Sequence, residues 1–156
     1  MFQKILIPLD GSKLAECVLP FLDDLVKNSE SEVILISVTE SVPGYRPVKN
    51  HSQPGEERLM PEAVGKKERQ AEKYLNRIAK GLTKKGFKVQ TRVLLGNPAQ
   101  EITYYARYHG CDLVVMASHG RTGPSRWAFG SVADKVFRAI CTPVLMIRGP
   151  GCIPDI

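Results

Sequence analysis

Short apolar runs that alternate with stretches of helical period constrain the fold of this chain more than any other feature. The runs are continuously apolar, as is typical of strands covered by helices on both faces. Their alternation with helical segments is typical of an α/β fold built on a parallel sheet. Five such runs are predicted to be strands: Ile5–Leu9, Val33–Val38, Val89–Leu94, Leu113–Ala117 and Val144–Ile147.

Helical periodicity predicts two long helices in the first half of the chain. Apolar residues recur at i, i+3, i+4 and i+7 across Leu14–Leu25, and Pro20 predicts a kink inside that helix. The second stripe covers Ala71–Leu82, and Gly86 follows it as a C-terminal cap.

Two further helices are predicted in the second half. Asn97 and Pro98 form an N-cap followed by a proline at the first helical position. The last helix is predicted over 131–139. The chain is therefore expected to form an open five-stranded parallel sheet with helices on both faces.

The chain is predicted to be one domain, because its 156 residues match the usual size of a single core. The domain is expected to cover residues 1–148, with a short tail at 149–156. Residues 40–61 hold four prolines and two glycines with little periodicity, so they are predicted to be a long, mobile or functional loop.

The formal net charge of +6 raises the question of nucleic acid. Basic residues are spread along the chain, glutamates stand among the denser groups, and no strand interleaves aromatic with basic residues. We therefore expect a mildly basic surface and no nucleic-acid partner. The densest basic groups are Lys66, Lys67 and Arg69, and Lys84, Lys85 and Lys88.

The lengths of the apolar runs indicate the compartment of the protein, and the spacing of its cysteines indicates whether it binds a metal. No run approaches the roughly 18 apolar residues that a membrane span needs, and the opening residues do not predict a signal peptide. We expect a cytoplasmic protein that does not interact with membranes. Its four cysteines are scattered without metal-ligand spacing, so no metal site is predicted. Cys17, Cys111 and Cys141 are expected to be at least half-buried, and Cys152 exposed.

Candidate ligand contacts follow the first and fourth strands, because ligands of open parallel sheets bind at the carboxyl ends of the strands. Asp10 could accept hydrogen bonds from a ribose. Gly130 and Ser131 open a helix whose free N–H groups could bind a phosphate, and Gly120 allows a close backbone approach. The alternative reading of Asp10 is a tight turn with a helix cap, and that of Gly120 is loop flexibility.

Catalytic motifs are not found in the sequence. There is no G-x-x-x-x-G-K-[ST], no strand-linked G-x-G-x-x-G and no G-x-S-x-G. His119 and Arg121 lie in the candidate loop. The alternative to a chemical role is a turn role for His119, and the alternative to a phosphate contact is a solvated side chain for Arg121. No catalytic residue is predicted.

Four motifs in the same order resemble those of the universal stress protein family. They are Lys4–Ser12, Asp112–Arg121, Gly130–Val132 and Thr142–Ile147, which together extend over nearly the whole chain. The resemblance implies a Rossmann-like sheet with strand order 3-2-1-4-5. It also implies a homodimer, formed through the edge strand Val144–Ile147.

ATP-binding members of this family carry the pattern G-x-x-G, nine residues, G-[ST]. Gly120 and Gly130-Ser131 match its spacing, whereas Ala117 stands where the first glycine is expected. The resemblance implies ATP, with Mg²⁺, as the ligand. The site residues so implied are Pro8, Leu9, Asp10, Val38, Met116, Ala117, Gly120, Arg121, Gly130, Ser131 and Val132.

Three functions stay open at this point. The first is an ATP-binding regulatory dimer whose nucleotide state is read by an unknown protein partner. The second is a slow ATPase or phosphotransferase, which would need charge neutralisation around the γ-phosphate. The third is a stress-response dimer that binds no nucleotide, an alternative that rests on Ala117.

Overall fold

A five-stranded, all-parallel sheet in the order β3-β2-β1-β4-β5 forms the centre of the fold, as predicted. The computed structural model describes residues 2–26, 30–40, 62–119 and 130–149. Most of the predicted loop, 41–61, and most of the tail, 150–156, lie outside the described residues. The strands are β1 (Lys4–Pro8), β2 (Glu32–Thr39), β3 (Lys88–Leu95), β4 (Leu113–Ala117) and β5 (Val144–Ile147).

The three central strands differ from the two edge strands in burial. All five residues of β4 and the middle residues of β1 and β2 are buried, as continuous apolar runs predict. β3 and β5 are only partly buried, and Arg92 and Leu145 are exposed. Both edge strands still contact the core clusters on the two faces of the sheet, as Val93 and Leu94 of β3 do, and their lower burial follows from having a neighbouring strand on one side only.

Two hydrophobic cores lie on opposite faces of the sheet. Alternate residues of each strand point to opposite faces, so Val115 and Ala117 join one core while Val114 and Met116 join the other. The first core includes Val18, which lies between β1 and β2 in the chain. Helices on both faces are thus confirmed.

The predicted kinked helix at Leu14–Leu25 is instead a 3-10 helix, Ala15–Phe21, followed by one α-helical turn, α1 (Leu22–Leu25). Pro20 has no N–H to donate to the carbonyl four residues earlier, which removes a bond that a continuous α-helix needs. The tighter 3-10 winding covers this segment and still buries Val18.

The remaining helices are α2 (Glu62–Lys84), α3 (Pro98–Tyr108) and α4 (Ser131–Ala139). Gly86 follows α2 with a φ of 96°, a left-handed conformation that glycine adopts at low cost. The Asn97 side chain accepts a hydrogen bond from the Gln100 N–H at 3.3 Å, which confirms the predicted cap.

Candidate functional site

A cleft of about 660 Å³ opens at the carboxyl edge of the sheet. It lies where the strand order reverses, between β1 and β4, which is the usual ligand position in open α/β sheets. One side is formed by the ends of β1, β2 and β4 and the start of α4; we call this the strand wall. A second side is formed by four residues of α2, the α2 wall: Lys67, Gln70, Ala71 and Tyr74.

Nine of the predicted site residues line this cleft. They come from three strand ends and one helix start that are far apart in the chain, and the parallel sheet brings them to one edge. Gly120 and Arg121 lie outside the described residues. The nine are Pro8, Leu9, Asp10, Val38, Met116, Ala117, Gly130, Ser131 and Val132.

Asp10 occupies a turn of defined geometry at the end of β1. Its Oδ1 accepts hydrogen bonds from the Ser12 N–H at 2.9 Å and the Ser12 hydroxyl at 2.6 Å. The Ser12 Oγ in turn accepts from the Ala15 N–H at 3.1 Å, and Gly11 has a φ of 86°. The alternative reading of this segment as a turn with a helix cap therefore describes its local structure, and the turn also holds Asp10 at the cleft.

The N-terminal end of α4 lines the cleft with the residues of its first turn. Gly130 is the N-cap, and no side chain of the described residues caps the helix. The Gly130 N–H donates to the Ser118 carbonyl at 2.7 Å, which ties this helix start to the end of β4. Uncapped N–H groups and the helix dipole together make this helix start suited to an anionic group.

Ala117, which stands in place of a glycine of the family pattern, is the last residue of β4 and is 7% exposed. It belongs to the core cluster that contains Val18 and Ile147, so its methyl group has apolar neighbours on that face of the sheet. Packing of this methyl group in the core explains how alanine is accommodated at this position.

The α2 wall was not predicted as part of the site. Ala71 and Tyr74 were assigned to the buried stripe of the helix, and Lys67 to its solvated face. The spacing of Lys67, Gln70, Ala71 and Tyr74 is i, i+3, i+4, i+7, which places all four on one side of a helix. That signal was present in the sequence, but the cleft it borders appears only when α2 packs on the sheet.

The Tyr74 hydroxyl is shielded from solvent and, among the described residues, has no hydrogen-bond partner of ordinary geometry. Burial first, and then the neighbouring Glu16 carboxylate, raises the pKa of Tyr74 well above 10. The two groups therefore interact electrostatically although their geometry falls short of a hydrogen bond.

Glu16 gathers two cations beside Tyr74. Its carboxylate lies 3.1 Å from Lys13 Nζ and 3.2 Å from Arg77 Nη2. Burial by itself would raise the pKa of Glu16, but Lys13, Tyr74 and Arg77 outweigh that effect and lower it. The carboxylate is consequently held in its charged form.

His119 follows β4 at the base of the cleft and is buried. Its Nδ1 lies 3.0 Å from the Ser118 hydroxyl oxygen. The contact joins two successive residues directly after β4.

Metal-ligand clusters and membrane-spanning helices are both absent from the part of the chain that the structure describes. No group of three or more His, Cys, Asp or Glu side chains is arranged to hold a metal ion there. No helix in that part is both long and apolar enough to cross a membrane.

The cysteines differ in exposure. Cys111 is buried and Cys17 is half-buried, as expected. Cys141 is exposed, so its predicted burial is wrong; it follows the end of α4 on the surface. Cys152 lies outside the described residues.

Comparison with known proteins identifies the family of this chain. The model of the universal stress protein family matches residues 1–148. The chain belongs to the universal stress protein family. Among its relatives is Universal stress protein MJ0531 of Methanocaldococcus jannaschii, 31% identical over 96% of this chain and 84% of the relative. Universal stress protein MJ0577 of the same organism is 30% identical over 95% of this chain and 96% of the relative.

Solved structures of family members have the same fold. The structure of MJ0577 covers 97% of this chain and 99% of its own, with 26% identity and a TM-score of 0.64. A family protein from Arabidopsis thaliana, solved with AMP bound, covers 96% and 93% with 15% identity and a TM-score of 0.61. A universal stress protein in complex with cAMP covers 95% and 98% with 17% identity and a TM-score of 0.59.

Proposed function

We propose that the cleft binds an adenine nucleotide, ATP with Mg²⁺, and that the protein acts as a nucleotide-dependent regulatory dimer. The observation that carries the proposal is the convergence of Asp10, Val38 and the Gly130–Ser131 helix start on one cleft. An acid, an apolar surface and an anion-binding helix start are the three contacts that ribose, adenine and phosphate require.

Cleft size and chemistry support this ligand class. A volume of about 660 Å³ lies within the range of roughly 300–1,000 Å³ that is common for small-molecule sites. In the proposed pose, Val38 and Met116 contact the adenine and Asp10 accepts from the ribose hydroxyls. The N–H groups at the start of α4 and the Ser131 hydroxyl then bind the phosphates.

Ligands of other family members are consistent with the proposal. The Arabidopsis thaliana protein was solved with AMP, and another universal stress protein with cAMP. Both ligands share the adenosine part that we assign to the strand wall. The triphosphate is our extension, based on the family glycine pattern at Gly130.

Mg²⁺ fits the cleft as an ion carried by the nucleotide. Mg²⁺ commonly keeps several waters and is bound through substrate phosphates rather than by a dedicated protein cage. The start of α4 would bind the phosphates, and the ion would neutralise part of their negative charge.

Dimer formation is proposed to occur through β5. This strand is an edge of the sheet, and exposed edge strands favour pairing with another chain. Leu145 on this strand is 37% exposed. Light scattering should show a dimer, and Leu145→Lys should yield a monomer with unchanged circular dichroism. A dimer of the variant as stable as the original would exclude this interface.

Nucleotide binding is tested by calorimetry with MgATP, AMP, cAMP and GTP on the same preparation. Binding of ATP with rejection of GTP is expected, and phosphate release measured alongside distinguishes a slow ATPase. Absence of binding to any adenine nucleotide by the folded protein would refute the proposal and favour an interaction dimer.

Two variants locate the ligand. Asp10→Asn keeps the turn, because asparagine makes the same local hydrogen bonds, yet should weaken ATP roughly tenfold through loss of a charged acceptor. Gly130→Val should crowd the phosphates and abolish binding while the fold is retained. Unchanged affinity in both variants would show that the nucleotide binds elsewhere.

A further inference from the structure

The positive charge of the chain is concentrated in one segment. Residues 62–88 contain nine lysines and arginines and three glutamates, an excess that equals the net charge of +6 of the whole chain. The remaining residues are electrically balanced. Nearly all of this segment is α2 and its C-terminal turn.

Six of these cations form a straight stripe along α2. With about 3.6 residues per turn, they fall within about a quarter of the helix circumference and extend over about 27 Å. Of the three glutamates of the segment, Glu68 and Glu72 fall outside that quarter, and Glu62 lies in line with the stripe about one turn before its first lysine. The basic stripe consists of Lys66, Arg69, Lys73, Arg77, Lys80 and Lys84, all exposed.

The stripe points away from both the core and the cleft. The opposite side of α2 is buried through Leu75, Ile78 and Leu82, and Lys67 of the α2 wall projects to the cleft between these two directions. Of the six cations, only Arg77 has a carboxylate within ion-pair distance among the described residues, Glu16 at 3.2 Å. The other five are available to an external anion.

We propose that the basic stripe binds the phosphate backbone of double-stranded DNA without sequence preference. A duplex carries one negative charge per about 1.7 Å of axis, so a duplex segment as long as the 27 Å stripe carries roughly 16 phosphate charges. A straight, rigid row of cations complements such a linear polyanion. The sequence-based expectation of no nucleic-acid partner treated these charges as scattered, whereas the helix aligns them.

Other anionic partners fit the stripe less well. Protein interfaces are enriched in aromatic anchors and depleted of lysine at their centres, whereas four of the six stripe residues are lysines. Membrane-bound helices insert an apolar face, but that face of α2 is buried in the core. Single-strand binding relies on aromatic stacking platforms, which the stripe does not contain.

The test measures anisotropy of a fluorescein-labelled 20-base-pair duplex between 50 and 200 mM KCl, with the full chain. Five or six phosphate contacts predict a slope of about −5 for log K against log [KCl], since each contact contributes about −0.9. A duplex of different sequence should bind equally. No binding at 50 mM KCl would overturn the proposal.

A matched pair of variants assigns the effect to the stripe. Lys73→Gln with Lys80→Gln should reduce the slope by about 1.8 and weaken binding more than tenfold at 100 mM KCl. Arg107→Gln with Lys135→Gln removes the same charge from α3 and α4 and should leave the slope unchanged. Equal losses in both double variants would overturn the proposal, because net charge alone would then explain binding.

Binding to phosphatidylserine vesicles is measured as the last comparison of the experiment. Tighter binding to these vesicles than to DNA under the same salt would assign the stripe to a membrane surface and overturn the proposal. Because the nucleotide cleft is on another side of α2, the Asp10→Asn variant should bind DNA normally. The DNA-binding test therefore remains valid even if the protein does not bind a nucleotide.

Discussion

The strand wall and the α2 wall of the cleft are built in different ways. The strand wall consists of strand ends joined by backbone hydrogen bonds, such as Leu9 N–H to the Ile36 carbonyl at 2.8 Å and Ser118 N–H to the Ile147 carbonyl at 2.8 Å. The α2 wall consists of side chains on one helix face, and two of these, Lys67 and Gln70, are exposed.

Because of this difference, the strand wall fixes the shape of the cleft and the α2 wall adjusts its contacts with a ligand. Backbone positions in a buried parallel sheet change little with side-chain identity, so the strand wall sets the outline of the cleft. Long exposed side chains have several rotamers, so the α2 wall adds contacts with smaller individual effects. Substitutions in the strand wall should consequently cost more than substitutions in the α2 wall.

The largest effect on stability is expected at Ala117. Ala117→Leu adds three carbons to a packed core, which should lower the free energy of unfolding by about 1–3 kcal/mol and weaken ATP binding at least tenfold. Urea denaturation and calorimetry measure the two effects. Ala117→Gly is the control and should bind ATP within about threefold of the original, at a stability cost of about 1 kcal/mol. A tenfold gain in affinity from glycine would show that the methyl group obstructs the nucleotide.

Tyr74→Phe should stabilise the protein by about 1 kcal/mol. The hydroxyl is shielded from water without a hydrogen-bond partner of ordinary geometry, so its removal relieves an uncompensated desolvation cost. Thermal and urea denaturation measure the change. Destabilisation of similar size would show instead that the Glu16 carboxylate accepts a hydrogen bond from Tyr74.

Alkaline stability should depend on the same hydroxyl. Burial raises the pKa of Tyr74, so the folded state favours the neutral phenol. The stability contributed by this group is complete below pH 10, the ordinary tyrosine value, and is lost as pH rises above 10. The stability difference between Tyr74→Phe and the original should grow between pH 9 and pH 11 in urea titrations. A constant difference would contradict the raised pKa.

The smallest effect is expected at Lys67. Lys67→Gln should weaken ATP about threefold and leave adenosine unaffected, because exposed ion pairs contribute roughly 0.2–1 kcal/mol. Lys66→Gln is the matched control, since Lys66 belongs to the basic stripe and not to the cleft. Calorimetry with ATP and with adenosine measures the two affinities in each variant. A larger loss for Lys67→Gln than for Asp10→Asn would reverse the ranking of the two walls.

Much of the fold was accessible from local patterns. β4, β5 and α4 have the predicted bounds, and the Asn97 cap is where the sequence indicates it. Local patterns failed at the 3-10 helix, where apolar spacing suits either winding and the clash of the Pro20 ring with the carbonyl four residues earlier disfavours the α-helix.

The sequence by itself determined the parallel sheet and the helix caps, and the family resemblance of its motifs near Asp10 and Gly130 implied nine residues of the cleft. Those features depend on neighbours within a few positions or on strand ends that any parallel sheet brings together. The tertiary structure alone decided that α2 lines the cleft and that the Ala117 methyl group joins the core. These outcomes depend on how a helix is rotated and packed on the sheet, which residue spacing restricts but does not specify.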